Sequence, residues 1–163
     1  MPLSKDWSEW WRRFLDLAPD ESANAVDFLR QRYVDEMQRL ERFKQHAERM
    51  HYPQYREKFL EMAKEKRQHA ERIGEKIVAL GGILPDVAEG RRSTDKNSWQ
   101  SLLVALEDEN RSAGSLPEQL RRIGLEHPDI ARLLQEISQE QNKYRDEIRE
   151  MLMRSDPFAL SLA

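Results

Sequence analysis

The stretch "FLEMAKEKRQHAERIGEKIVALGG", Phe59 to Gly82, carries the reading of the fold. Phe59, Met62, Ile73, Ile77 and Leu80 recur at the three- and four-residue spacing that gathers side chains on one face of an α-helix. Glu, Lys, Arg and Gln fill most remaining positions, and all four favour helix. The glycine pair, with Pro85 shortly after, ends the pattern. A helix from about Tyr55 to Leu80 therefore needs other apolar faces to pack against.

The chain supplies them on both sides. Upstream, a helix from about Ser22 to Met50 offers Val26, Leu29, Tyr33, Leu40, Phe43, Ala47 and Met50, and "HYPQ" at 51–54 breaks it. These two helices should form an antiparallel hairpin. Downstream, Gly81 to Asn97 is polar and turn-rich without periodicity, and its length permits a crossover. The next helix starts near Asn97 or Ser98 and carries Trp99, Leu102, Leu103, Leu106, Ala113 and Leu120, with a bend or split expected at Gly114 and Pro117. A last one, after "EHPD" at 126–129, carries Ile130, Leu133, Ile137, Tyr144, Ile148 and Met151.

The sum is an all-α chain: two antiparallel hairpins joined by a long crossover make a four-helix bundle over 21–154. Before it, Trp7, Trp10, Trp11 and Phe14 line one face of an extra short N-terminal helix within 1–20. A short apolar tail, 155–163, follows.

Composition narrows the function classes. With 27 Lys and Arg against 30 Asp and Glu, the formal charge of -3 does not advertise nucleic acid or an anionic membrane as partner. No cysteine is present, which removes disulfides, thiolate metal sites, iron–sulfur clusters and cysteine nucleophiles. No run approaches the roughly 18 apolar residues of a membrane span, and the N-terminus lacks a secretory core, so a cytoplasmic location is expected. Phosphate-binding glycine motifs and a nucleophile elbow are both absent.

The pentapeptide "QHAER" occurs at Gln45–Arg49 and again at Gln68–Arg72. At about 100° per residue, His46 falls roughly 100° from the centre of its apolar stripe, on a flank, whereas His69 falls about 45° away and Lys66 nearer still. The second copy is thus expected to point inward and the first not. The same arithmetic puts Tyr33, Glu36, Glu109, Glu140 and Tyr144 at core edges. Counted from the hairpin turns, Glu36 pairs in height with His69, and Glu109 with Tyr144. One layer of the bundle should therefore hold Glu36, Lys66 with His69, Glu109 and Glu140.

Carboxylates in a core require a cation, a proton or a metal. Oxygen and imidazole donors suit iron, manganese or zinc. Against that stands a plainer account of each residue. His69 is then a core-edge histidine hydrogen-bonded to an acid; Glu109 and Glu140 sit at the solvent rim; Glu65 pairs with a neighbouring lysine; Tyr33 and Tyr144 are core residues with satisfied hydroxyls.

The stretches "FLEMAKEKRQHAERIGEKIVALGG" at 59–82, "LEDENRSAGSLPEQL" at 106–120 and "IARLLQEISQEQNKYRDEI" at 130–148 resemble the ferritin-like superfamily, in particular the erythrin domain of rubrerythrins, over about Val26 to Met153. By that resemblance His69 matches the first motif's histidine, Glu109 (with Glu107 as a further candidate) the third-helix acid, and Glu140 the fourth-helix acid. Lys66 stands where the family has a bridging glutamate, and Lys143 where a histidine would complete the second motif. Tyr33 occupies the first-helix acid position, with Glu36 one turn away as a substitute. The four-cysteine rubredoxin module that supplies electrons in full-length rubrerythrins has no counterpart here.

Two expectations follow. In one, Glu36, His69, Glu109 and Glu140, with Glu65 and Glu107 as further candidates, bind a single iron or manganese ion, and any catalysis is that of an oxidoreductase. In the other no metal binds: a salt-bridge network centred on Lys66, with Tyr33 and Tyr144 beside it, replaces the ion. The protein then acts as a scaffold through homodimer or higher homo-oligomer formation, or through a protein partner reached by the Trp-rich helix or the C-terminal tail.

Overall fold

The computed structural model describes residues 21–90, 92, 94 and 97–158. Four helices account for most of them, and no strand occurs among the described residues: α1 Glu21–Arg49, α2 Pro53–Ala79, α3 Ser98–Ile123 and α4 Pro128–Arg154. The expected Trp-rich helix within 1–20 and the tail residues 159–163 lie outside the described residues.

Local chemistry sets the boundaries. Tyr52, held extended by the proline that follows it, stands before α2, and Pro53 opens that helix where its missing N–H costs nothing. Pro128 opens α4 in the same way. Asn97 caps α3 by accepting from the Gln100 amide at 2.9 Å. At the end of α2, Gly81 turns left-handed at φ 80°, so that its amide donates to the Val78 carbonyl and the Gly82 amide to the Ile77 carbonyl, both at 2.9 Å. Gly81→Ala is expected to cost about 1 kcal/mol from backbone strain alone. A lower urea midpoint at unchanged slope would check it, since no atom lies within 4 Å of the added Cβ.

Helix α1 packs along α2 and α3 along α4; the hairpins meet through α1 on α3 and α2 on α4. The core shows the directions. One apolar cluster joins Phe43, Ala47 and Met50 from the end of α1 to Phe59 and Met62 near the start of α2, Leu102 and Ala105 near the start of α3, and Ile148 and Met151 near the end of α4. The other joins Ala25 and Leu29 to Ile73 and Ile77, Leu116 and Ile123, and Ile130, Leu134 and Ile137. Both hairpins are therefore antiparallel, α2 and α3 run the same way, and the chain between them must travel the length of the bundle. On that path Leu84 passes over Gly74, where a Cβ would come within 3.1 Å of Leu84 and 3.3 Å of Tyr33.

Two expectations are corrected. Of the bend or split expected at Gly114 and Pro117, the split does not occur: helix α3 runs from Ser98 to Ile123 with Pro117 inside it. Leu116 and Ile123, on either side of the proline, are buried in the same cluster, and that shared burial holds the helix across the missing hydrogen bond. His46 is not on a flank but 1% exposed, with its ring 5.7 Å from that of Phe59 and 6.5 Å from that of Phe43. Because α1 contacts both α2 and α3, its buried arc is wider than a single apolar stripe implies.

Candidate functional site

Between the two apolar clusters lies a polar layer drawn from the middle of all four helices. Arg32, Glu36 and Arg39 come from α1, Lys66 and His69 from α2, Glu109 from α3, and Glu140 and Gln141 from α4. Glu36 and Lys66 are fully buried, His69 is 1% exposed and Glu109 2%.

Lys66 occupies the centre. Its Nζ lies 3.1 Å from both Oε1 and Oε2 of Glu109 and 3.7 Å from Glu36 Oε2. The rings of Phe43 and Tyr144 flank the ammonium, each with its centroid 5.5 Å away. A long, flexible stem reaches this position because α2 turns Lys66 onto the same face as Met62, Ile73 and Ile77.

Glu36 collects further donors. Arg39 Nη1 lies 3.3 Å from Oε1, Gln141 Nε2 donates to Oε1 at 3.0 Å and to Oε2 at 3.1 Å, and Arg32 Nη2 stands 3.9 Å away. Burial alone pushes this carboxyl upward, but Lys66, His69, Arg39 and Arg32 together override it and hold it well below the usual carboxylate range. Glu36 is therefore an anion in the core.

His69 links the core to the surface. Its Nε2 lies 2.8 Å from Oε2 of Glu140, whose side chain is half exposed, while its Nδ1 faces Gln141 Nε2 at 3.4 Å and Glu36 Oε2 at 3.8 Å. An ionised carboxylate only accepts, so the bond to Glu140 has Nε2 as its donor. Arg72 Nη1 holds the other Glu140 oxygen at 3.1 Å, and Arg72 Nη2 holds Glu136 at 2.6 Å.

The layer thus unites Glu36, Lys66, His69 and Glu109, with Glu140 joining from the rim. Glu107 is exposed and stays apart. Glu65 pairs with Lys143 at 3.0 Å and accepts from the Tyr144 hydroxyl. Burial, then the bond to Glu65 and its charge, push the Tyr144 hydroxyl far above its ordinary value, so it stays a proton-bearing phenol. Tyr33 packs at the edge of the other apolar cluster, against Gly74. Among the described residues, no group of three or more His, Asp and Glu side chains is arranged to hold a metal ion.

Three members were missed from sequence: Arg32, Arg39 and Gln141. Arg32 and Arg39 stand four residues before and three after Glu36, so a shared face was there to be read. Gln141 carried no such signal beside the acid at 140.

The sequence matches the family model of the ferritin-like domain over residues 42–156, from the second half of α1 to just past the end of α4. No curated protein matches the chain significantly. That matched span covers most of the chain and the greater part of a bundle of two antiparallel hairpins joined by a full-length crossover, and the chain belongs to the ferritin-like domain family.

Proposed function

We propose that this chain is a rubrerythrin-like member of the family in which an internal cation has taken the place of the metal centre, leaving a scaffold that works through its surface, as a homo-oligomer or with a protein partner. The observation that carries this is Lys66: a buried ammonium 3.1 Å from both oxygens of Glu109 and 3.7 Å from Glu36. Glu109 matches the family's third-helix acid and Glu36 stands one turn from its first-helix acid position, and a cation at a bridging position repels metal ions. The buried part of the layer already sets Arg32, Arg39 and Lys66 against only Glu36 and Glu109. A divalent ion would add charge where cations are in excess, so the residues do not fit a di-iron site.

A second reading rests on His69, which meets Glu140 on one ring nitrogen and faces Glu36 with the other. A single iron or manganese ion held there, with the half-exposed Glu140 as its route in, would supply redox or oxygen-related chemistry.

Metal content by inductively coupled plasma mass spectrometry separates the two, in protein purified without chelator and again after loading with iron, manganese and zinc. Wild type is expected to hold far less than one ion per chain. Lys66→Glu, which supplies a carboxylate in place of the ammonium, is expected to gain metal and to melt higher when metal is added. One ion per wild-type chain, lost in a His69→Ala/Glu140→Ala double variant, would establish the second reading, and two ions would overturn the role given to Lys66.

A further inference from the structure

Two buried polar atoms of the layer are left over, and their needs are opposite. Arg32 is 4% exposed and Glu109 2%. Among the described residues, Arg32 Nε, a donor, and Glu109 Oε1, an acceptor, have no hydrogen-bond partner. The rest of the Arg32 guanidinium is held loosely, with Nη1 3.5 Å from Gln119 Oε1 and Nη2 3.9 Å from Glu36 Oε1. Glu36 offers it little more, since Arg39 and Gln141 hold that carboxylate at closer range. At Glu109, Lys66 Nζ lies 3.1 Å from both oxygens, but its hydrogen bond goes to Oε2. Buried donors and acceptors in native proteins find partners, so each leftover atom calls for one.

Both residues line one crevice between α3 and α4, and it has room for about one water molecule. Charge decides what suits it. An anion would meet the bare oxygen of Glu109, and a cation would meet Arg32 and Arg145, both in the lining. A neutral molecule that accepts on one side and donates on the other meets both demands, and at this size that molecule is water. Ser112 and Ser138 also line the crevice, so the roughly two to four polar partners that a buried water needs are at hand.

We propose that the crevice holds one ordered water, which accepts from Arg32 Nε and donates to Glu109 Oε1. It joins α1 to α3, and so one hairpin to the other, at the level of the polar layer. It also closes a ring of charges: Lys66 to Glu109, Glu109 through the water to Arg32, Arg32 to Glu36, and Glu36 back to Lys66 at 3.7 Å. Glu109 is free for this role because Lys66, and not a metal, is its counterion, so the water rests on the reading of Lys66 proposed above.

The test is a crystal structure of the full chain, purified without chelator and crystallised with bromide, at a resolution that shows ordered water. Anomalous data are collected at the bromine, iron and manganese edges. Expected is one peak without anomalous signal, within about 3.2 Å of both Arg32 Nε and Glu109 Oε1. In solution, the Nε–H of Arg32 is expected to give cross-peaks to water of opposite sign in NOE and ROE spectra, the mark of a bound water as opposed to proton exchange. A direct bond between Arg32 and Glu109 with no water between them would overturn the proposal. So would a bromide peak in the crevice, or the absence of such NOE and ROE cross-peaks. A metal peak on Glu109 would overturn the reading of Lys66 as well, whereas an empty crevice without metal would overturn the water alone.

Discussion

Lys66→Met is expected to destabilise the protein by about 3–5 kcal/mol, the cost of stripping one partner from a buried ion pair and leaving the other charged and unpaired. Methionine keeps the length and packing of the stem between Phe43 and Tyr144, so cavity formation adds little. The loss falls mainly on Glu109, whose two oxygens both face the ammonium, whereas Glu36 retains Arg39 and Gln141. Hence a Lys66→Met/Glu109→Leu double variant should recover most of the stability, because it removes both charges together. Urea unfolding of wild type, both single variants and the double variant gives the coupling directly. The series is run with chelator, so that no metal enters the vacated space. A Lys66→Met loss under 1 kcal/mol, or a double variant no better than the sum of the singles, would sink the claim that Lys66 and Glu109 compensate each other's buried charge.

Much of this arrangement was legible in the sequence because helical periodicity reports the inward face whatever residue stands on it. By angle His69 and Lys66 fall near the inward face and Glu36, Glu109 and Glu140 at core edges; Glu36 and Glu109 are buried, whereas Glu140 is half exposed. Prolines at 53 and 128 and the glycine pair at 81–82 put the helix boundaries within about two residues of their observed positions. What escaped lies on the flanks of the apolar stripe that a second neighbouring helix covers. Arg32 and Arg39 look like members of a solvated charge ladder around Glu36, yet both are buried where α1 meets its neighbours. His46 is buried too, with its ring beside that of Phe59 on α2. On α4 the acid at 140 drew attention, but the amide at 141 is the group that reaches Glu36, while Glu140 stays at the rim between His69 and Arg72. At Pro117 local chemistry argued for a bend or a split, and burial of Leu116 and Ile123 in one cluster keeps the helix unsplit.

Acid should weaken the protein through Glu36 in particular. Its folded value lies below its unfolded one, so the unfolded chain takes up this proton first as pH falls. The stability it contributes is therefore complete above the unfolded carboxylate range near ~4.3 and is lost as pH drops below it, at up to about 1.4 kcal/mol per pH unit. By pH 3 the loss from this one group is on the order of 2 kcal/mol. Glu65 is also held low: its partial burial is overridden by the bonds from Tyr144 and Lys143, but its exposure to solvent makes its share smaller. Urea unfolding of wild type, Glu36→Gln and Glu65→Gln between pH 6 and 3 resolves the two contributions. Glu36→Gln is expected to be less stable at pH 6, where Lys66, Arg39 and Arg32 lose an anion, and to show the flatter acid dependence, with the gap to wild type closing toward pH 3. Glu65→Gln should keep most of the wild-type slope. If Glu36→Gln instead retained the full acid slope, the charge on Glu36 would not be what the surrounding cations stabilise, and the account of Glu36 as a core anion held by Lys66, Arg39 and Arg32 would fail.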